Sequence, residues 1–322
     1  MKKVIFLAVV LTLTKTFSYS TTWNEPWQDS IIIKSDYFVY GKIVECDKKN
    51  FKLKVIRAYG NEILKPEKSI VIESYFDLHC SSWSSAGAYE LWFSTYLEKG
   101  LEVYLFIKKN KKGNFSLPTP TSGYAPVVKG NVVATYRHSY HRAIVTPEIY
   151  EKTMLAIFNH YHQIEYDKES ITTFIEEQLS KKPASFNDDE INTFFLQHVA
   201  MESLFHLQLQ SKYELLIPFL HDTSNIHNQI SAARALVAFN TNACKQELLK
   251  MIKDTSVIDF LKLMCVMSLA RLLPLELKEE IALIAENASD EYVSFGGDLM
   301  DPRIGTMLPS VKHALQELLL KI

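Results

Sequence analysis

Short apolar runs separated by turn residues mark the chain between residues 29 and 137. Residues 51–55 (FKLKV) alternate apolar and basic side chains, so a strand would place the apolar residues on one face and the lysines on the other. Similar β-type runs cover 38–44, 69–74, 101–107 and 114–117, and a tight hairpin covers 127–133. Several short strands without a helical period predict a small antiparallel β-barrel or sandwich.

The hydrophobic period changes to about 3.6 residues after Pro147, which indicates helices. Thr146 supplies a capping hydroxyl there, and proline suits the first position of a helix. Helices are predicted over 149–160, 170–179 and 188–209. We therefore expect connecting helices over 138–182 and a helical domain over 183–322.

The helical part contains self-similar segments. YELLIPFL at 213–220 matches QELLKMI at 246–252, and ARAL at 233–236 matches LARL at 269–272, while KHALQELL at 312–319 looks like a third copy. Offsets of about 33 to 37 residues are typical of stacked helix pairs. Residues 212–322 thus resemble HEAT or armadillo repeats, which implies an α-solenoid with an extended protein-binding surface. An ordinary helical bundle with chance similarity is the alternative.

The first half also resembles a known architecture. Its features are, in order, SDYFVYGKIVEC at 35–46, then the alternating strand, then a cysteine at position 80, then KGLEVYLFI at 99–107. This order resembles that of the OB-fold barrel of the tissue-inhibitor-of-metalloproteinases and netrin-like type. The resemblance covers residues 29–137 and implies an OB-like barrel. Those inhibitors begin their mature chain with a cysteine, whereas this chain has none before Cys46. The resemblance therefore implies the fold and not protease inhibition.

The N-terminus has the pattern of a secretory signal peptide. Lys2 and Lys3 precede an apolar run over residues 4–13, and small residues follow it. The run is too short to span a bilayer, which takes about 20 residues. We expect a signal peptide over 1–20, a linker over 21–28 and no transmembrane segment; a buried N-terminal helix is the alternative.

Charge is divided unevenly along the chain. Without residues 1–20, 32 basic and 37 acidic residues remain, a net charge of −5. Residues 29–137 carry +5 and residues 138–322 carry −9. Neither half has the dense basic stripe that nucleic-acid binding requires, so we expect no nucleic-acid partner.

Four cysteines are divided equally between the two halves. Export would permit disulfides, and the plausible pairs are Cys46–Cys80 and Cys244–Cys265. Free buried thiols are the alternative. The sequence has no CxxC spacing, so it does not indicate a redox or zinc-ribbon site.

Histidine offers the strongest candidate chemistry in this sequence. His138 and His141 lie three residues apart, and His160 and His162 follow, so a metal site or metal-dependent enzyme at the domain junction is one hypothesis. The pattern lacks HExxH and a neighbouring carboxylate, and an interdomain polar linker is the other interpretation. No GxSxG, Walker or GxGxxG motif occurs, so no catalytic residue and no cofactor is predicted.

Two loops are candidate binding surfaces. HCSSWSSAG at 79–87 carries Trp83, and Tyr89, Trp92, Phe93 and Tyr96 follow. Exposed aromatic side chains there would suit sugar or protein binding. The alternative is that Trp92, Phe93 and Tyr96 cap the open end of the barrel as core. SFGGDLMDPRIGT at 294–306 reads as a long loop between helices.

Together these patterns predict a multidomain α and β protein without enzymatic activity. We expect it to be exported to a bacterial periplasm or secreted. Its helical repeats would bind another envelope or secreted protein, and the barrel would serve as a ligand or anchoring module. Metal binding through the histidines and glycan binding through the aromatic loop are the alternatives. The oligomeric state is not indicated.

Overall fold

The structure is a computed structural model, and it describes residues 23–24, 26–47, 50–60, 64–73, 97–119, 122–138, 141–209, 211–297 and 304–322. The predicted signal peptide and residues 21, 22 and 25 of the predicted linker lie outside these residues. Within the described part, no helix is long and apolar enough to cross a membrane.

A closed five-stranded barrel forms the first half. After a short strand β1 (Trp23–Asn24) and helix α1 (Gln28–Ile33), the barrel strands are β2 (Tyr37–Cys46), β3 (Phe51–Gly60), β4 (Ser69–Glu73), β5 (Glu102–Lys109) and β6 (Phe115–Ser116). Their order is β2-β3-β4-β6-β5, and pairing of β2 with β5 closes the barrel. The predicted strands and the barrel are confirmed.

Two-sided burial explains why β2 and β5 read as nearly continuous apolar runs. Val39 and Leu105 point into the barrel and belong to its interior core. Phe38 and Phe106 point the other way and belong to the core shared with the helices, where their ring centroids lie 5.0 Å apart. A strand covered on both faces needs apolar residues at successive positions.

Strand β3 has the predicted alternation, because Phe51, Leu53 and Val55 are buried and Lys54 is exposed. Gly41 lies opposite it on β2, where the register shifts. A Cβ at Gly41 would lie 2.6 Å from the Lys54 carbonyl oxygen, so the irregular pairing there requires glycine.

The sheet continues beyond the barrel and leads into the helices. Strands β7 (Tyr124–Val128), β8 (Asn131–Ala134) and β9 (Ala143–Val145) extend from β5. Strand β9 lies within the segment predicted as connecting helices, so the sheet reaches Val145 rather than ending at residue 137.

The helices follow as one series. They are α2 (Pro147–Tyr161), α3 (Lys168–Leu179), α4 (Ile191–Leu207), α5 (Ile217–Leu220), α6 (Ile226–Ala235), α7 (Asn242–Lys253), α8 (Asp259–Arg271), α9 (Lys278–Asn287) and α10 (Val311–Leu319), with short 3₁₀ turns at Tyr213–Leu216, Leu236–Ala238 and Leu275–Leu277. The predicted cap at Thr146 is confirmed, since its side chain accepts a hydrogen bond from the Ile149 amide.

Consecutive helices pack as pairs: α3 with α4, α5 with α6, α7 with α8, and α9 with α10. The second helix of each pair also packs on the second helix of the next pair, from α4 through α6 and α8 to α10. The matched segments 233–236 and 269–272 occupy equivalent second helices. The third copy, residues 312–319, differs. It joins a match to a second helix and a match to a first helix, yet all of it lies in α10, the second helix of its pair.

A small three-stranded sheet joins the two ends of the described chain. Strand β11 (Ile304–Ser310) pairs antiparallel with β10 (Tyr292–Gly297) and parallel with β1. The prediction of a loop over 294–306 is therefore wrong at its two ends, where backbone pairing forms strands. Residues 298–303 lie outside the described part.

Candidate functional site

The candidate site lies where strands β7 to β9, which we call the sheet extension, meet the helices. The turn between β8 and β9 contributes two residues, and one face each of α4 and α6 contributes the rest. Residues spaced by three or four lie on the same face of a helix. We call this group the junction cluster: Arg137, His141, His198, Glu202, His227, Ser231 and Arg234.

One carboxylate lies between two guanidinium groups at the centre of the junction cluster. Glu202 Oε2 accepts a hydrogen bond from Arg234 Nε at 3.0 Å, and Oε1 lies 3.6 Å from Arg137 Nη1. Ser231 Oγ donates to Oε1 at 3.0 Å and accepts from Arg137 Nη1 at 3.2 Å. Arg137 and Glu202 are fully buried. Burial alone would raise the pKa of the Glu202 carboxyl, but Arg234 and Arg137 hold it below its ordinary value.

Aromatic rings enclose the second arginine. The Arg234 guanidinium carbon lies 3.9 Å from the ring centroid of Phe205 and 5.0 Å from that of Trp27. Such cation–π contacts strengthen where water is excluded. They fix Arg234 against both α4 and the segment that precedes α1.

Three imidazole rings pack together beside the ion pairs. The His141 ring stacks on His198 with centroids 4.0 Å apart and lies edge-on to His227 at 4.7 Å. His198 Nδ1 shares a hydrogen bond with Ser231 Oγ at 3.0 Å. Within the described part, His141 Nδ1, His198 Nε2 and His227 Nδ1 are buried without a hydrogen-bond partner. A neutral imidazole tolerates such surroundings better than a cation does.

Burial keeps these histidines neutral near pH 7. It lowers the pKa of His198 to about 3 and that of His227 to about 4, and it holds the pKa of His141 well below its ordinary value. The nearby Arg137 lowers all three further. Protonation would place new positive charge beside two buried arginines.

His206 is buried on the same helix, one turn beyond Glu202, and has partners on both nitrogens. Its Nε2 donates to the Tyr136 carbonyl at 2.7 Å, and Nδ1 then accepts from the Tyr161 hydroxyl at 2.9 Å. Burial lowers its pKa to about 4. It ties α4 to the sheet extension and to α2.

Comparison with family models, with curated proteins and with solved structures finds no match to this chain. The resemblances to netrin-like barrels and to HEAT or armadillo repeats therefore gain no support from relatives.

The structure separates most of the predicted histidine candidates. His138 and His141 share one turn, but His138 packs edge-on against Trp27 at 5.2 Å. His160 and His162 lie at the end of α2, where His162 Nε2 contacts the Ile32 carbonyl at 3.2 Å. Of the predicted set, only His141 belongs to the junction cluster. Among the described residues, no three His, Cys, Asp or Glu side chains are grouped to hold a metal ion.

The predicted Cys244–Cys265 bridge is not formed, because both are free thiols buried in successive helices. Burial raises the pKa of each thiol. Cys46 Sγ lies 2.9 Å from the Leu97 carbonyl oxygen. Cys80 lies outside the described residues, so the Cys46–Cys80 pair stays a prediction.

Trp83, Tyr89 and Trp92 also lie outside the described residues. The glycan-binding hypothesis for that loop therefore stays a prediction.

Sequence reasoning missed most of the junction cluster. A signal was present, since helix α4 is buried on nearly all sides yet carries His198, Glu202 and His206 at four-residue intervals. A carboxylate on an otherwise apolar helix needs a cationic partner from elsewhere in the chain. The sequence did not indicate that Arg137 and Arg234 are those partners.

The buried location of the cluster limits its chemistry. A small cavity of about 20 Å³ is lined by Gln28, Ser122 and Arg142, among others. That volume holds about one water molecule. The buried side chains of Arg137, Glu202 and Ser231 suit the junction cluster to holding the sheet extension against the helices.

Proposed function

We propose that this protein is an exported, non-enzymatic interaction protein. In this proposal the helix pairs form a divergent HEAT-like array that binds another envelope or secreted protein, and the OB-like barrel is a ligand or anchoring module. The basic start and short apolar run at the N-terminus support export.

Exposed apolar side chains at the end of the helical series carry the proposal. Six of the nine large apolar side chains that are exposed in the described part belong to the last 65 residues, among them Leu275 at 66%, Leu283 at 64% and Leu320 at 82%. The Lys278 ammonium donates to the Ile322 carbonyl at 2.8 Å, so the start of α9 lies beside the C-terminus. Leu275 and Leu320 therefore belong to one end of the molecule.

Exposed apolar side chains on a repeat array are unfavourable in water unless a partner covers them. Exposed apolar patches on a protein surface mark interaction sites. The stacking of α4, α6, α8 and α10 supports an array to which α9 and α10 belong. A protein partner at this end fits both observations.

The test is affinity capture of the tagged chain from its native host after mild crosslinking. We expect one stoichiometric envelope or secreted protein. The double variant Leu275→Glu/Leu283→Glu should lose it at least about tenfold, since each charge would be desolvated in the interface.

Val71→Glu is the matched control, because Val71 is 48% exposed on the barrel. All variants are first compared by circular dichroism and thermal unfolding. Capture of no partner, or equal capture by the double variant and the control, would contradict the proposal.

A further inference from the structure

Lysines crowd the tip of the hairpin between β5 and β6. Lys108, Lys109, Lys111 and Lys112 are all exposed there, and Lys34 is exposed at the end of α1. We call these five residues the basic tip. The Lys109 amide donates to Asp36 Oδ2 at 2.7 Å, and the Asp36 amide donates to the Ile107 carbonyl at 2.9 Å. Those bonds bring the end of α1 beside the hairpin.

Hydrogen bonds to Asn110 and Glu73 shape the turn of the tip. Asn110 Oδ1 accepts hydrogen bonds from the amides of Lys112 and Asn114 at 2.9 and 3.0 Å. Glu73 accepts from the side-chain amide of Asn114 at 2.7 Å. Gly113 completes the turn with a φ of +84°. Asp36 and Glu73 thus accept hydrogen bonds from amide groups and shape the turn.

Four ammonium groups of the tip differ from the paired basic groups on β3. On β3, Lys52 pairs with Glu45, Lys54 with Glu67 and Arg57 with Glu151. In the described part of the chain, no carboxylate lies within ion-pair distance of Lys34, Lys108, Lys111 or Lys112. Among the described residues, Asp36 and Glu73 are the carboxylates bonded to this turn, and together with the five lysines they give a net charge of +3.

An exposed apolar side chain adjoins the basic tip at the end of α1. Ile33, next to Lys34, is 57% exposed. Lysine side chains around an exposed aliphatic group are typical of surfaces that bind anionic bilayers, where ammonium groups meet phosphate and the aliphatic group enters the interface. The tip carries no arginine fork and no aromatic ring, the groups that read or stack nucleic-acid bases.

We infer that the basic tip docks the barrel on a bilayer surface rich in anionic phospholipid headgroups. The division of charge would orient the docked molecule. Residues 29–137 carry +5 and residues 138–322 carry −9, so the anionic surface attracts the barrel and repels the helical part.

The experiment is sedimentation of the mature chain with vesicles of phosphatidylcholine containing about 30% phosphatidylglycerol, and with vesicles of phosphatidylcholine alone. Each lysine near an anionic surface contributes about fivefold to partitioning. We expect partitioning onto the anionic vesicles that falls at least about tenfold between low and high salt.

The variant that tests the tip is Lys108→Gln/Lys109→Gln/Lys111→Gln/Lys112→Gln, for which we expect a loss of about 100-fold or more. The matched control carries the same number of Lys→Gln changes at exposed positions of the helical part, namely Lys168, Lys182, Lys250 and Lys321. It has the same net charge as the tip variant and should partition as the parent chain does.

Three results would overturn the inference. They are equal partitioning of the tip variant and the parent, equal partitioning onto neutral vesicles, and binding to soluble polyglutamate without partitioning onto anionic vesicles. The last result would assign the tip to an acidic protein. Vesicle partitioning and capture of a protein partner are separate measurements. The proposal of membrane docking and the proposal of a protein partner therefore fail independently.

Discussion

Removal of the negative charge from Glu202 is the most direct test of the junction cluster. Glu202→Gln preserves the shape of the side chain and a carbonyl acceptor for Ser231. It leaves Arg137 and Arg234, which are 0% and 7% exposed, without their carboxylate. Breaking a buried ion pair by removing one partner costs about 3–5 kcal/mol, because the remaining charge stays desolvated.

We expect the free energy of unfolding to fall by about 3–5 kcal/mol, a large part of the roughly 5–15 kcal/mol that stabilises a typical protein. The measurement is urea denaturation followed by tryptophan fluorescence and by far-ultraviolet circular dichroism. Glu177→Gln is the control, since Glu177 is 64% exposed and lies 3.7 Å from Lys181. That surface pair should contribute less than about 0.5 kcal/mol.

A double-mutant cycle separates the ion pair from general disruption. Glu202→Gln/Arg234→Gln should cost clearly less than the sum of the two single changes, because the second change removes a charge that the first left unpaired. A loss below about 1 kcal/mol for Glu202→Gln, or strict additivity, would refute the account of Glu202 as the counter-ion of the cluster.

Three further predictions follow from the same contacts. The contribution of His198 to the free energy of unfolding should be full above pH 6.5 and fall as pH drops toward about 3, because its pKa is about 3 in the folded chain and about 6.5 in the unfolded chain. The free energy of unfolding should change by about 1.4 kcal/mol per pH unit for each such histidine, and His198→Phe should reduce that slope. Arg57→Ala should cost about 1 kcal/mol in urea unfolding, since its bonds to Glu151 at 2.7 and 2.9 Å join the barrel to α2, and after Glu151→Gln it should cost less. Cys244 and Cys265 should react with a thiol reagent only after unfolding, and fast labelling of the folded chain would contradict their burial.

Local patterns predicted the elements well where one face of an element is buried. The alternation over 51–55 became β3 with its lysines outward, and Thr146 caps α2 as its position before Pro147 indicates. In both cases the signal lies within a few neighbouring residues, so tertiary packing had little to add.

The junction cluster could not be predicted, because its contacts join residues far apart in sequence. His141 meets His198 only after the sheet extension folds onto α4. The prediction grouped His141 with His138 by proximity in sequence, whereas the turn directs the two rings to different partners. The repeat pattern was partly misleading for a similar reason, since the QELL at 316–319 belongs to the second helix of its pair and not to the first.

The pairing of β1 with β11 has a consequence for the order in which the chain can fold. Trp23 lies opposite Ile304, and Asn24 lies opposite Gly305, so nearly the whole chain separates two paired strands. A polypeptide made from its N-terminus keeps β1 without its neighbour until β11 has been synthesised. Closing so long a loop is entropically costly until the intervening structure has already brought its ends together. A probe attached at position 23 would therefore report the closing event of folding, after the barrel and the helices have formed.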